Sequence, residues 1–387
     1  MSDASIPRAM RQPTSLKLAS NAFLLVWLFL AAFPLLWVLF MSFKSPVDAF
    51  SSSAWEVITG PRTLSDGSGI SIVDIILFVG VAWMSIKAAT LWLMPMAAGD
   101  GTLQKIFSWA VIALGFAILA VLGLFFVVPL LAGPLESLLG PLGRPIIGMT
   151  TQHYEAVWVE NAFYENFRNS MIVTFGVVTV SLTVGTLAGY GLARSGSTLA
   201  FWILIIALIF RALPHSVLVA GYLPVFINSA ELLSPILGEN APTLYGQPLA
   251  VIAVLVSINQ PFTIWMLRSF FQNIPVDLDE SARVDGCTHF QAFRWVIMPV
   301  MWPGVITTGL FSFLLAYNDF LVTSLLLDAS NQTMVPAIAG YFNRETTTTD
   351  QVEAVAAAVS ITAPLFLLVM IFQRQIVSGL TAGAVKG

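Results

Sequence analysis

The sequence predicts an all-α polytopic membrane protein, and three observations carry that reading. Of the 387 residues, 57% are hydrophobic and only 10% charged, whereas a soluble domain carries roughly 25% charged residues. Mean hydropathy is +0.85. The apolar residues gather into runs of the ~20 residues that a helix needs to cross ~30 Å of hydrocarbon. Such runs do not suit the strands of a barrel, and open sheet edges cannot exist in lipid.

The first run, Asn21 to Phe43, is uncharged. It is too long for a signal-peptide core and has no small-residue cleavage site after it, so it reads as a retained span. It follows a polar tail over residues 1–20. Ile70 to Ala98 and Ile106 to Ala132 come next, the former carrying Asp74 and Lys87. Lys87 could snorkel toward an interface, and a re-entrant or tilted segment is equally open there. After a polar stretch from Gly133 to Arg168, five further runs qualify: Ser170–Ala193, Leu199–Ile227, Pro248–Met266, Val305–Leu327 and Val355–Phe372. The sequence thus predicts eight spans, with six or seven as alternatives.

With the N-terminus inside, ten of the 17 lysines and arginines face the cytoplasm, Arg194, Arg268, Arg283 and Arg294 among them. Lys44, Arg62, Arg144, Arg168 and Arg344 face out, while Lys87 and Arg211 fall within spans. This asymmetry places both termini in the cytoplasm. The net charge of −4 leaves no basic surface for nucleic acid. A single cysteine, Cys287, excludes an internal disulfide and a cysteine-based cluster. His153, His215 and His289 lie too far apart in sequence to suggest a metal site, and His215 reads as a satisfied interior group.

The inner stretch from Ile274 to Gly304 is patterned, unlike the other loops. Pro275 opens a helix, and Asp277 with Glu280 has capping-box spacing. Gly286 stops that helix. Thr288 and Gln291 repeat the box, and Phe290, Phe293, Val296 and Ile297 recur at helical spacing until Pro299 and Pro303 end the second helix. The object is helix, glycine turn, helix, lying along the membrane surface. Its shape suits insertion into a partner's groove.

Glu280-Ser281-Ala282, three residues, Gly286, nine residues and Val296-Ile297-Met298-Pro299 resemble the EAA loop of the transmembrane subunits of bacterial ABC importers. The usual pattern is Glu-Ala-Ala, x3, Gly, x9, Ile-x-Leu-Pro, so Ser281, Val296 and Met298 depart from it mildly. Asp285 before the glycine resembles the carbohydrate-uptake members. The C-terminus from Ser378 through Thr381, Gly383 and Lys386 to Gly387 resembles the second permease of maltose-type systems. The resemblance covers residues 169–387 and the first span. It implies a six-span permease core with an inserted two-helix hairpin (70–132) between the outer loops of 44–168, making eight spans at the inner (plasma) membrane. It also implies that Glu280, Ser281, Ala282, Asp285, Gly286, Met298 and Pro299 couple to an ATPase. Thr381, Gly383, Lys386 and Gly387 would reach toward that ATPase.

No Gly-x4-Gly-Lys-Ser/Thr loop is present, since the five lysines follow Leu16, Phe43, Ile86, Gln104 and Val385. Energy must therefore come from a partner or from an ion gradient. The family implies the former: two ATP-binding subunits carrying ATP and magnesium, a second homologous permease, and an extracytoplasmic solute-binding protein. The chain itself would bind no cofactor and catalyse no covalent chemistry. The alternative is a gradient-driven carrier using Arg211 and Asp319. Arg211, Asn259, Gln260, Asn318 and Asp319 fall within spans, with Pro214 beside Arg211. Polar groups there line a solute path or bond helices together; both roles are open. Gly185 and Gly189 read as a close-packing face. The aromatic-rich stretch Gln152–Arg168 reads as an amphipathic helix on the outer surface, equally an interfacial anchor or a face for the binding protein.

Overall fold

The computed structural model describes residues 14–88, 91, 115, 128–139, 143–343 and 347–382. Among these, regular structure is helical apart from a two-stranded ladder and one isolated bridge, Gly246 to Leu327. The principal helices are α1 (Thr14–Met41), α2 (Ile72–Ala88), α3 (Val128–Leu139), α4 (Phe163–Ser195), α5 (Thr198–Arg211), α6 (His215–Ile227), α7 (Pro248–Gln272), α8 (Asp277–Val284), α9 (His289–Tyr317), α10 (Leu321–Leu326), α11 (Met334–Asn343) and α12 (Thr348–Ala382).

Five helices are long and apolar enough to cross a membrane: α1, α4, α7, α9 and α12. The pair α5–α6 is apolar enough only when taken together and is bent by 97°, the geometry of a broken span or a re-entrant loop, so the described residues hold five to six candidate spans. The five helices and the pair match the first and the last five predicted runs. The eight-span count is not reached among the described residues. Ile70–Ala98 is described chiefly as the 17-residue α2, and Ile106–Ala132 lies almost wholly outside them. Strands β1 (Ile70–Ser71) and β2 (Pro145–Ile147) pair antiparallel, Ile70 opposite Ile147. The intervening segment therefore leaves and returns at one point, and α2 touches α3.

Two predicted spans need correction. Leu199–Ile227 is not one helix. Pro214 lacks an N–H and pushes Leu213 out of the helical region, so α5 ends in tightened bonds from Ala212 and Leu213 to the carbonyls of Ile209 and Phe210, and α6 starts afresh at His215. Val305–Leu327 likewise breaks after Tyr317, and the helix containing it begins much earlier, at His289. Pro299 and Pro303 therefore lie inside α9 rather than ending a separate helix. A π-helical turn over Phe293–Ile297 precedes the α-register that starts at Met298. Pro299 falls in the first turn of that register, where no N–H is required.

α4 and α7 form the centre of the bundle. A Cβ on Gly185 would sit 2.6 Å from Thr263 Cγ2, and one on Gly189 3.1 Å from the Arg268 backbone nitrogen, so these glycines set the close approach the sequence suggested. Val173, Val177, Val251, Val254, Leu255 and Ile258 fill the core beside them, with Val322 and Leu326 from α10. A second cluster around Phe163, Phe313, Tyr317 and Tyr341 ties α4 and α9 to α11 and α12. By contrast, α1 buries none of its most apolar window. A helix apolar on every face and left uncovered is matched to lipid or to another subunit.

Gln152–Arg168 is not one amphipathic helix. It splits at Ala162 (φ 50°), and Phe163 onward belongs to α4. Tyr154, Trp158 and Phe163 face inward while Tyr164 is exposed: Tyr154 OH meets Ser42 Oγ at 2.7 Å, and Trp158 Nε1 donates to Ser360 Oγ at 2.9 Å. These contacts join the segment to α12 and to a small cap formed by residues 42–71 and 145–161.

Candidate functional site

The patterned loop leaves α7 at Asn273 and forms α8, eight residues long. The expected box between Asp277 and Glu280 is absent. Val276 is the N-cap, and the backbone carbonyls of Pro275 and Val276 take the Leu278, Asp279 and Glu280 N–H groups instead. At the other end, Cys287 N–H donates to the Ala282 carbonyl (3.0 Å) and Gly286 N–H to that of Arg283 (3.1 Å). This is a Schellman motif, and Gly286 supplies the left-handed residue it needs at φ +91°. The second box is present: Thr288 Oγ1 accepts from Gln291 N–H, and Gln291 Oε1 accepts from Thr288 N–H at 2.8 Å.

Of the coupling residues, Ala282 is buried and Met298 partly so, while Glu280, Ser281, Asp285, Gly286 and Pro299 are exposed. Apolar neighbours stand out with them, Val284 at 87% exposure and Phe290 at 63%. A carboxylate on a short helix amid uncovered apolar side chains is a surface suited to a protein partner. Thr381 lies in the last turn of α12; Gly383, Lys386 and Gly387 fall outside the described residues.

One group of residues escaped the sequence reading. Asp279, one position before Glu280, turns inward. Its Oδ2 accepts from Arg194 Nε at 2.7 Å and its Oδ1 from Tyr190 OH at 2.6 Å. The same guanidinium donates to the carbonyls of Phe271 (3.3 Å) and Ile274 (3.2 Å). Both charged side chains are largely buried. Tyr190 and Arg194 lie four apart at the end of an otherwise uncharged helix face, the only signal that could have marked them.

The intramembrane polar residues separate into two groups. Asn259 is 1% exposed and donates to Ser312 Oγ at 2.7 Å, bonding α7 to α9. Asn318 donates back to Leu314, and Asp319 accepts the Thr323 N–H at 3.0 Å, so this pair ends α9 and starts α10. Gln260 and Arg211 instead line open cavities. Gln260 lies in one of about 730 Å³ between α4, α5 and α7. Arg211 lies in one of about 250 Å³ with Tyr222, and the two share Ala207, Ser257 and Pro261. Arg211 stacks over Phe262 at 4.8 Å. Among the described residues, no ion pair joins it to Asp319. His215 is exposed at the start of α6 rather than interior. No three His, Cys, Asp or Glu among the described residues are grouped to hold a metal ion.

Five membrane-length helices, a bent pair that counts as one more when taken as a single span, and a short surface helix between α7 and α9 define a multi-span membrane protein. Residues 181–381 match the family described as "binding-protein-dependent transport system inner membrane component". The chain is 33% identical over 241 residues to the diacetylchitobiose uptake system permease protein DasC of Streptomyces coelicolor, covering 62% of this chain and 82% of that protein. It is 31% identical over 287 residues to the trehalose transport system permease protein SugB of Mycobacterium tuberculosis, covering 72% and 97%. The trehalose/maltose transport system permease protein MalG of Thermococcus litoralis is 29% identical over 250 residues, covering 64% and 85%. The chain belongs to the family of binding-protein-dependent transport system inner membrane components. It is an ABC importer permease, a transport subunit and not an enzyme. This family membership gives the gradient-driven alternative no support.

Proposed function

We propose that this chain carries a sugar or related polyhydroxy solute into the cytoplasm, beside a second homologous permease. Two ATP-binding subunits drive it, and an extracytoplasmic binding protein supplies the solute. The relatives named for diacetylchitobiose, trehalose and maltose support the solute class. The observation that carries the mechanism is the α8–Gly286–α9 element, a capped, uncovered projection with Glu280 at its surface. Closure of the ATPases would push this element as a rigid body, the permeases would rock, and the path would open outward. The C-terminal tail would reach the same motor.

Gln260 and Arg211 would form this subunit's wall of the path, with Tyr222 and Ser257 as hydroxyl partners for a hydroxyl-rich solute. Asn259, Asn318 and Asp319 serve as structural bonds. Both termini would be cytoplasmic, and the 70–132 insertion would add two spans. The SugB alignment supports that insertion, since it takes in nearly all of SugB and leaves over a quarter of this chain unmatched.

Co-purification and uptake test the reading. A complex containing a Walker-motif subunit and showing ATP-dependent sugar uptake is expected. Glu280→Ala should weaken ATPase docking on the order of tenfold or more, as loss of one partner from a desolvated charge pair does. Ion-gradient uptake by this chain alone would overturn the proposal.

A further inference from the structure

We propose that Arg194, with Asp279 and Tyr190, is the mechanical link that makes the coupling helix α8 move together with α4 and α7. This rests on the reading that α8 receives the motor's push. A helix of eight residues does not hold itself in water, and α8 lacks a side-chain cap at its start. Its direction must come from what it is fastened to. Toward α9 the fastening is the glycine turn. Toward the rest of the bundle it is the Asp279 carboxylate, which takes one bond on each oxygen, from Arg194 (2.7 Å) and Tyr190 (2.6 Å), both on α4.

Arg194 extends the link to a third element. Its remaining nitrogens reach the Phe271 and Ile274 carbonyls at the C-terminal end of α7, where a cation also complements the helix dipole. One planar fork thus ties the ends of α4 and α7 to α8, a geometry that a lysine ammonium does not reproduce. Aromatic packing stiffens the joint: the Tyr190 ring lies 5.4 Å from that of Phe271 and 4.9 Å from that of Phe293. The link is also adjacent to the space that would change shape. Gly191, Leu192 and Ser195, within a turn of Arg194, line the 730 Å³ cavity, and Ser257, Gln260 and Pro261 of α7 form another of its walls. A push on α8 therefore reaches the cavity through two helices, not through the flexible connections alone.

The test uses the complete transporter, both permeases with ATPases and binding protein, reconstituted in vesicles and read as solute imported per ATP hydrolysed. Asp279→Asn and Tyr190→Phe should leave the ATPases bound and hydrolysing. Import per ATP should fall by about twofold to about thirtyfold, the range that residues along a coupling network command. Arg194→Lys should uncouple similarly. The exchange Arg194→Asp with Asp279→Arg should regain part of the ratio, which general loss of stability would not produce. Should Asp279→Asn fail to assemble, Tyr190→Phe decides. An unchanged import-to-ATP ratio in the assembled Tyr190→Phe complex overturns the link. Failure of the underlying reading looks different: the unaltered complex then contains no ATPase, or Glu280→Ala leaves ATPase binding intact.

Discussion

Gly286 carries the strongest demand that any one residue of the coupling element meets. At φ +91° a side chain costs about 1–2 kcal/mol relative to glycine, and proline, fixed near φ −65°, cannot adopt the turn. No heavy atom lies within 4 Å of where its Cβ would be, so the cost is conformational and not steric. Retained ATP-driven uptake should therefore rank Gly286→Asn above Gly286→Ala above Gly286→Pro, because asparagine tolerates the left-handed region. Measured uptake in membranes with equal protein content checks the order, and equal activity of the three would contradict it. The glycine was legible in the sequence because chirality makes its position costly for other residues. Asp279 was not. Four acidic residues crowd residues 277–285, and nothing local says which one turns inward. Only the arrival of Arg194, 85 positions earlier, decides it. Capping by Asp277 failed for a related reason, since backbone carbonyls one turn back already satisfied the donors.

For whole helices, the hydropathy pattern located the five long spans and the α5–α6 pair but not the breaks. An apolar window runs through Pro214 without change, because lipid compatibility depends on side chains while the 97° bend depends on a missing backbone donor. Asp319 interrupts the chain between α9 and α10 by binding the Thr323 N–H, an effect too local for a span-length average. The α4–α7 contact was legible, since two glycines four apart mark a close approach whichever helix supplies the other side. Gly185→Ala should force these helices apart, its Cβ meeting Thr263 Cγ2 at 2.6 Å and Leu267 Cδ1 at 3.1 Å. Overpacking of this kind costs about 1–3 kcal/mol. Gly221→Ala on α6, with nothing within 4 Å, is the matched control. Thermal unfolding of the two variants in one detergent should show a lowered midpoint for the first and an unchanged one for the second.

The molecule as a whole joins a lipid-matched bundle to a cap built on buried polar groups, and the two respond to different variables. Lys44 is fully buried and donates to the carbonyls of Ile58 (2.8 Å) and Gly148. Burial holds its ammonium below the ordinary lysine range, although the charge of Asp48 opposes this. Burial raises the Asp48 carboxyl, but hydrogen bonds from Thr63, Arg62 and Ser45 outweigh it and leave it below the usual value. His153 bonds through Nε2 to the Lys44 carbonyl at 3.0 Å, and burial pushes its pKa below 6.5 despite that bond. Of these three groups, His153 is the one whose ordinary value lies between pH 5.5 and 7.5. The unfolded cap takes up a proton as pH falls through 6.5 while the folded cap still resists it, so the unfolded form binds more protons and stability declines with acid. Above 6.5 the contribution is fully present. Asp48 adds a further loss only below about pH 4. Hydrogen exchange of the cap segments 42–71 and 145–161, corrected for the intrinsic rate, should thus be faster at pH 5.5 than at 7.5, with the α4–α7 centre unaffected. His153→Gln removes the titrating group and should flatten the difference; a pH dependence that survives it would assign the effect to another group.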